Sequence, residues 1–188
     1  MLYQNLKIEK ATTEDGPSIV ELLKSRATHL KSKGSSQWSF LLTGQEDAEI
    51  LELVSKGLFH KVTLKSSHLD DVAPPLAATF MLSDTQEEWD VHLWGQEYTP
   101  STVYLHKLAV AMQHKGEGLG DYLVNWIKQH VEELDYTKIR LDCVPSAELR
   151  SFYDKHGFTL LKIVDDHCLY EWEASKANKE VQDGERKV

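Results

Sequence analysis

Positive charge is what this chain lacks most. Its 188 residues carry 21 Lys and Arg against 30 Asp and Glu, a formal net charge of −9 at pH 7 with His neutral. No basic stripe is available to neutralise the phosphates of a polynucleotide, so nucleic acid is not an expected partner. The same balance favours a cationic partner by long-range attraction, although solubility alone accounts for it equally well. Cysteine is scarce too: Cys143 and Cys168 are the only two, and both lie in apolar runs. Two buried thiols in a reducing cytoplasm are expected, rather than a disulfide framework or a metal site. No apolar run approaches the ~20 residues of a membrane helix, and the first five residues do not open a signal peptide. No membrane partner is expected, and the cytoplasm is the expected location. Internal repeats and low-complexity blocks are also missing.

What remains is ordinary for a globular protein, with 41% hydrophobic and 27% charged residues. The length suits one domain with a sizeable core, taken as residues 1–174. Residues 175–188 are charged and patternless, the mark of a flexible tail.

The informative stretch runs from Tyr104 to Leu123. Tyr104 to Val110 reads as a buried strand. Lys115-Gly116-Glu117-Gly118-Leu119-Gly120 reads as a glycine-rich loop entering the first turn of a helix. Alternating glycines let the backbone turn tightly while several N–H groups face one spot. At a helix N-terminus those donors and the dipole favour an anion, and a pyrophosphate is the fitting guest. A dinucleotide fingerprint needs a third glycine where the chain has Asp121, which speaks against a nucleotide-binding oxidoreductase. A P-loop needs Gly-Lys-Ser/Thr, which is absent.

The rest of the chain punctuates cleanly. Leu6 to Ala11 alternates as a half-buried strand. Capping residues at Thr12–Asp15 and helical spacing of Ile19, Leu22 and Leu23 predict a helix over about 14–30. A second helix follows Gly44 and stops at Gly57. Strands are predicted at 58–64 and 75–82, and residues 83–102 form the least regular interior region. From Leu119 a helix turns Leu123, Trp126, Ile127 and Val131 to one face. A strand at 139–144, a helix after Pro145-Ser146 and a hairpin of 158–164 with 168–172 complete the chain. Asp84, Glu87, Glu88, Asp90 and Glu97, with Trp89 and Trp94, make the irregular region acidic and aromatic, which suits an ammonium group. A solvated insertion would show the same composition.

Lys115 to Gly120 resembles the Arg/Gln-x-x-Gly-x-Gly/Ala signature of the GNAT superfamily of N-acetyltransferases, with Lys115 in the Arg/Gln place. Leu105-His106-Lys107-Leu108-Ala109-Val110 resembles that family's fourth strand. Leu149-Arg150-Ser151-Phe152-Tyr153-Asp154-Lys155-His156-Gly157-Phe158 is similar to its second motif, which ends in Tyr-x-x-x-Gly-Phe. The resemblance is firm from about Val103 to Phe158. It implies an α/β GNAT fold: a mixed central sheet of about seven strands flanked by four helices, in the order β-α-α-β-β-β-α-β-α-β-β. The same element order and a mixed sheet follow from the pattern of segments.

The resemblance also implies chemistry. The enzyme would be an acetyl-CoA-dependent N-acetyltransferase working by direct transfer in a ternary complex. Its acceptor would be a small primary amine first, a peptide or protein amine next. Lys115, Gly116, Glu117, Gly118, Leu119 and Gly120 would hold the coenzyme phosphates, and the backbone of Leu108, Ala109 and Val110 the pantetheine arm. Tyr153 matches the tyrosine that protonates the coenzyme sulfur in many relatives. His106 matches a histidine of arylalkylamine acetyltransferases that relays the amine proton, a task suited to histidine's usual titration range. Counted by twos, His106 shares a strand face with Tyr104, Leu108 and Val110. Glu97, Asp90 and Glu88 are rival bases. Tyr153 also fits a purely apolar helix face with Leu149 and Phe152, and His106 a satisfied strand histidine.

Two departures stand out. Ser146 occupies the place of the family's usual asparagine, so that coenzyme contact is shorter in reach. Lys115 meets phosphate as a point charge without the arginine fork. The rival reading is a non-catalytic acyl-CoA-binding module. Acceptor recognition would fall to about residues 25–45, with Gln37 and Trp38, and 83–102. Sheet edges and tryptophan-bearing surfaces allow a homodimer without demanding one.

Overall fold

The computed structural model describes residues 3, 5–64, 74–97 and 99–175. Residues 176–188, most of the expected tail, lie outside the described residues. Among the described residues the elements are β1 (Leu6–Lys10), α1 (Gly16–Ser32), α2 (Asp47–Ser55), β2 (Phe59–Leu64), β3 (Leu76–Ser83), α3 (Glu88–Trp94), β4 (Thr102–Val110), α4 (Leu119–Glu133), β5 (Lys138–Cys143), α5 (Ala147–Lys155), β6 (Thr159–Val164) and β7 (His167–Glu173). The seven strands form one mixed sheet in the order β1-β2-β3-β4-β5-β7-β6. Contacts divide the chain into two units, Met1–Ser83 with Leu105–Tyr122 and Asp84–Tyr104 with Leu123–Val188.

In the first unit β1, β2 and β3 run antiparallel. β3 continues to the end of β4, where Ala111 N–H donates to Ala77 O at 2.8 Å. Ahead of α1, Asp15 accepts from Thr12 N–H at 2.8 Å and forms an ion pair with Lys61 at 2.9 Å. The first capping residues and an early Pro17 thus start the helix where the sequence expects it. Its apolar face, Ile19, Leu22, Leu23 and Ala27, packs with Ile50, Leu53 and Val54 of α2 and with Phe59, Met81 and Ala109 of the strands. Burying the larger of these side chains, at roughly 1.5–3 kcal/mol each, helps to hold β4's second half in place.

In the second unit β4 opens parallel to β5, pairing Thr102 with Lys138, Val103 with Ile139 and Tyr104 with Arg140. β5 then pairs antiparallel with β7, and β7 with β6. The β6–β7 hairpin turns through Asp165 and Asp166, with φ of +45° and +58°. That is the two-residue geometry whose twist suits antiparallel strands, and aspartate tolerates it better than most residues.

The structure corrects one expectation of secondary structure. The stretch read as irregular contains a fifth helix, α3. Glu87 N–H donates to Asp90 at 3.0 Å in a capping box, and Leu93 and Trp94 are buried with Tyr104 and Leu169. At seven residues the helix is under two turns long, too short to print a 3.6-residue period on the sequence.

Candidate active site

The glycine loop follows β4 directly. Met112–His114 form a 3-10 turn, Gly116 and Gly118 take φ of +81° and +82°, and α4 begins at Leu119. A side chain at either glycine would be held in a region that L-residues rarely adopt. Among the described residues no acceptor takes the N–H of Gly116, Gly118, Leu119 or Gly120. Those donors stand at the head of a 15-residue helix, whose dipole adds positive potential. The loop's shape is held from outside itself: Tyr3 donates to Glu117 O, and its ring lies 5.1 Å from that of Tyr122. His114 Nδ1 meets Glu117 Oε2 at 3.0 Å. Lys115 Nζ donates to His29 Nε2 of α1 at 3.0 Å, which keeps an ammonium group beside the free N–H groups.

Before the loop, β4 contains an unexpected feature. Lys107 has φ of +50° in mid-strand. A two-residue alternation cannot be carried through a left-handed residue. Tyr104 and His106 precede it, Leu108 and Val110 follow it, so the expectation that all four share a face is withdrawn. Ala109 is buried, whereas His106, Leu108 and Val110 are half-buried.

In the second unit Ser146 caps α5, its Oγ accepting from Leu149 N–H at 3.1 Å. Tyr153 is buried on α5, with its ring 5.2 Å from Phe152 and 5.6 Å from both Phe158 and Tyr170. Burial pushes its phenol upward, with Cys143, Asp142 and Tyr170 adding to the effect. The ring of Tyr153 thus packs among aromatic side chains.

Residues 76–158, which include this strand, loop and helix, match the Acetyltransferase (GNAT) family model. The uncharacterized N-acetyltransferase YesJ of Bacillus subtilis is 38% identical over 152 residues, 80% of each chain. The chain belongs to the GNAT acetyltransferase family. Its fold is shared by a GNAT acetyltransferase from Listeria monocytogenes, with a TM-score of 0.73, 26% identity and coverage of 89% of this chain and 94% of that one. The PaiA N-acetyltransferase of Thermoplasma acidophilum, solved in complex with coenzyme A, has a TM-score of 0.66 at 15% identity, covering 89% of this chain and 98% of that one.

This acetyltransferase spends its acidic side chains unevenly. Of the rival bases, Asp90 is 1% exposed and committed to capping α3. Glu97 is tied to Arg140 at 3.0 Å, and Glu88 is exposed. Arg140 also donates to Glu171 at 2.8 Å and lies 4.5 Å over the Trp94 ring. Burial opposes its charge, but Glu171 and Glu97 outweigh that and raise it further above its usual range. Glu46, at the start of α2, drew no attention in the sequence because acids routinely open helices. Burial raises its carboxyl; Lys107 pulls it back down and Glu49 pushes it up again. Glu46 is thus an acid in electrostatic touch with the unusual residue of β4. The two cysteines are buried and unpaired, and burial, followed by Cys168 and Asp142, pushes the Cys143 thiol up to about 12. Such a thiol is not a nucleophile at neutral pH. No helix among the described residues is long and apolar enough to cross a membrane.

Proposed function

We propose that this GNAT enzyme moves an acetyl group from acetyl-CoA to a small primary amine by direct attack in a ternary complex, acting in the cytoplasm as one domain of residues 1–174. A peptide or protein amine is the next choice of acceptor. The carrying observation is the loop Lys115–Gly120: unsatisfied N–H groups at a helix head, two positive-φ glycines and one ammonium group. These donors fit a pyrophosphate, and enzymes of this family use acetyl-CoA.

Acetyl-CoA supplies a thioester whose carbonyl carbon bonds to the amine nitrogen as its C–S bond breaks. The loop's N–H groups and Lys115 hold the phosphates. Main-chain groups of Leu108, Ala109 and Val110 hold the pantetheine arm and polarise the carbonyl, which costs no reorganisation because a strand fixes them. His106 takes the proton that the amine must lose. Ser146 spends a lone pair on Leu149 N–H and keeps its O–H to donate towards the coenzyme. Tyr153 donates to the sulfur as charge develops there.

The raised phenol refines that last role. It holds its proton throughout the neutral range, as a donor must. Complete transfer to a thiolate with an ordinary pKa of about 8.5 would be uphill by at least ~1.5 units, or roughly 2 kcal/mol. Tyr153 therefore works chiefly as a hydrogen-bond donor that stabilises the departing sulfur.

The test is free-thiol release from acetyl-CoA across a panel of primary amines, with thermal shifts by CoA and NAD alongside. Amine-dependent release that drops about 100-fold in His106→Gln supports the reading. Stabilisation by CoA with no release on a broad panel would favour the acyl-CoA-binding module. Stabilisation by NAD and not CoA would overturn the assignment of the loop.

A further inference from the structure

We infer that His29 of α1 is a positioning residue for the coenzyme: it holds the Lys115 ammonium group where a phosphate arrives, without cancelling its charge. This role rests on the reading that residues 115–120 hold phosphates. It takes the end of α1 out of the 25–45 stretch expected to serve the acceptor and gives it to the coenzyme.

The loop is poor in positive charge. From Lys115 to Asp121 one cation stands against two carboxylates, Glu117 and Asp121. Lys115 is exposed, and left loose its flexible stem would let the ammonium pair with those acids or drift into solvent. Two histidines divide these charges. His114 Nδ1 meets Glu117 Oε2 at 3.0 Å, and His29 Nε2 accepts from Lys115 Nζ at 3.0 Å.

The chemistry of that acceptor suits a phosphate site. An ammonium group can only donate, so Nε2 offers its lone pair and the ring is neutral. A carboxylate at position 29 would hold Lys115 as firmly and neutralise it. The imidazole fixes the ammonium and leaves its full charge for the ligand. No other acceptor among the described residues takes Lys115 Nζ, so its remaining N–H groups are available to a phosphate.

α1 is a stiff base for this contact. Its Ile19, Leu22, Leu23 and Ala27 pack in one core with Ala109 and Ala111, which lead into the loop. Just before His29 on the same helix, Arg26 Nη1 donates to Met112 Sδ at 2.6 Å. Residues three apart lie on one helix face, so the face bearing Arg26 and His29 meets both Met112 and Lys115. The Arg26 contact is independent of the lysine and fixes the helix against the turn that precedes the loop.

Calorimetric titration of the full chain with CoA, paired with steady-state KM and kcat for acetyl-CoA, tests the role. His29→Leu removes the acceptor and should weaken CoA binding about three- to fivefold, the cost of ordering one long side chain. KM for acetyl-CoA should rise by a similar factor while kcat stays within about twofold. His29→Gln supplies an uncharged acceptor and should recover most of the affinity. His29→Glu holds the ammonium but cancels it, and should weaken CoA binding by about tenfold or more. In the Lys115→Met background, His29→Leu should have no further effect, because its partner is gone. A packing role would not rank Gln above Leu above Glu, and the Gln–Glu pair decides the matter even if His29→Leu fails to fold. Unaltered affinity in His29→Leu, full additivity with Lys115→Met, or His29→Glu binding as well as His29→Gln would each overturn the role while leaving the loop's reading intact. No CoA binding by the wild type would overturn the phosphate reading of the loop, and this role with it.

Discussion

Replacing Tyr153 with Phe removes one oxygen atom and no packing. The ring contacts with Phe152 at 5.2 Å and with Phe158 and Tyr170 at 5.6 Å survive in phenylalanine. The hydroxyl makes no hydrogen bond to any described residue, so none is lost. Folding stability should therefore stay within about 1 kcal/mol of wild type, a melting shift under ~4 °C for a chain of this size. Catalysis should not be spared. Removing a positioned proton donor typically costs 10²–10⁴ in rate, and we expect a fall of about 10² in kcat, or ~2.7 kcal/mol of barrier. Alkaline stability gives a second readout. Burial, with Cys143, Asp142 and Tyr170, raises the folded phenol, so above an unfolded value near 10 the unfolded state sheds its proton first. Wild type then loses stability as pH rises through that window, and Tyr153→Phe lacks this loss. Steady-state thiol release, checked for the absence of a burst so that chemistry limits turnover, decides the point. An unchanged kcat under those conditions would end the donor assignment. Collapse of the melting temperature would show that the hydroxyl is structural.

Lys115→Met removes the loop's ammonium group, which is worth ~1 kcal/mol or somewhat more towards an exposed phosphate. CoA should bind about 5–10-fold more weakly by calorimetry and with a flatter salt dependence; equal affinity would show that the N–H groups suffice. Glu46→Gln should stabilise the protein at pH 7 and not at pH 4. Burial holds the folded carboxyl above its unfolded value, so wild type loses stability as pH rises through that interval. Urea denaturation at both pH values reads the difference, and a destabilised variant at pH 7 would mean that Glu46 is held as a needed anion. Arg140→Met leaves Glu97 without its cation and Glu171 with only Lys138 at 3.2 Å, so about 2–4 kcal/mol of stability should be lost. A loss under ~1 kcal/mol would show that the Trp94 face, which Met can still cover, carries most of that contact.

Most of the fold was written in local signals. α1, β2, β5 and the β6–β7 hairpin fall within a residue or two of their sequence readings because each carries its own punctuation: Thr12 to Pro17, Gly57, Pro145 and Asp165-Asp166. α3 escaped because its evidence is tertiary. Leu93 and Trp94 are apolar for the sake of Tyr104 and Leu169, and seven residues give no period by which to recognise that. The order of strands, with β7 between β5 and β6, is likewise a matter of long-range pairing. Only the hairpin and the parallel β4–β5 pair constrain it from the sequence side.

The loop proposed to hold the coenzyme and the rest of the proposed site differ in legibility for a physical reason. Phosphates are met by main-chain N–H groups, and the backbone that offers them needs glycine at Gly116 and Gly118, so the requirement appears in the letters themselves. Lys107 is the opposite case. A left-handed residue without glycine costs roughly 1–2 kcal/mol, and nothing local repays it. The strain is held by what surrounds it, including the Ala111–Ala77 hydrogen bond at the end of β4 and the buried packing of Ala109. A conformation sustained by its neighbours leaves no signature at its own position, which is why counting by twos misplaced His106. The same holds for Glu46, whose interest comes from burial and from Lys107 sixty-one positions away rather than from any motif. Strain retained in mid-strand, where a single Lys→Gly exchange would relieve it, is expected where backbone direction serves the chemistry. Lys107→Gly should then gain up to about 1 kcal/mol in thermal unfolding while lowering kcat, because the freed backbone no longer holds the following N–H groups in one direction. A variant that is both more stable and fully active would show that the turn at Lys107 has no part in catalysis.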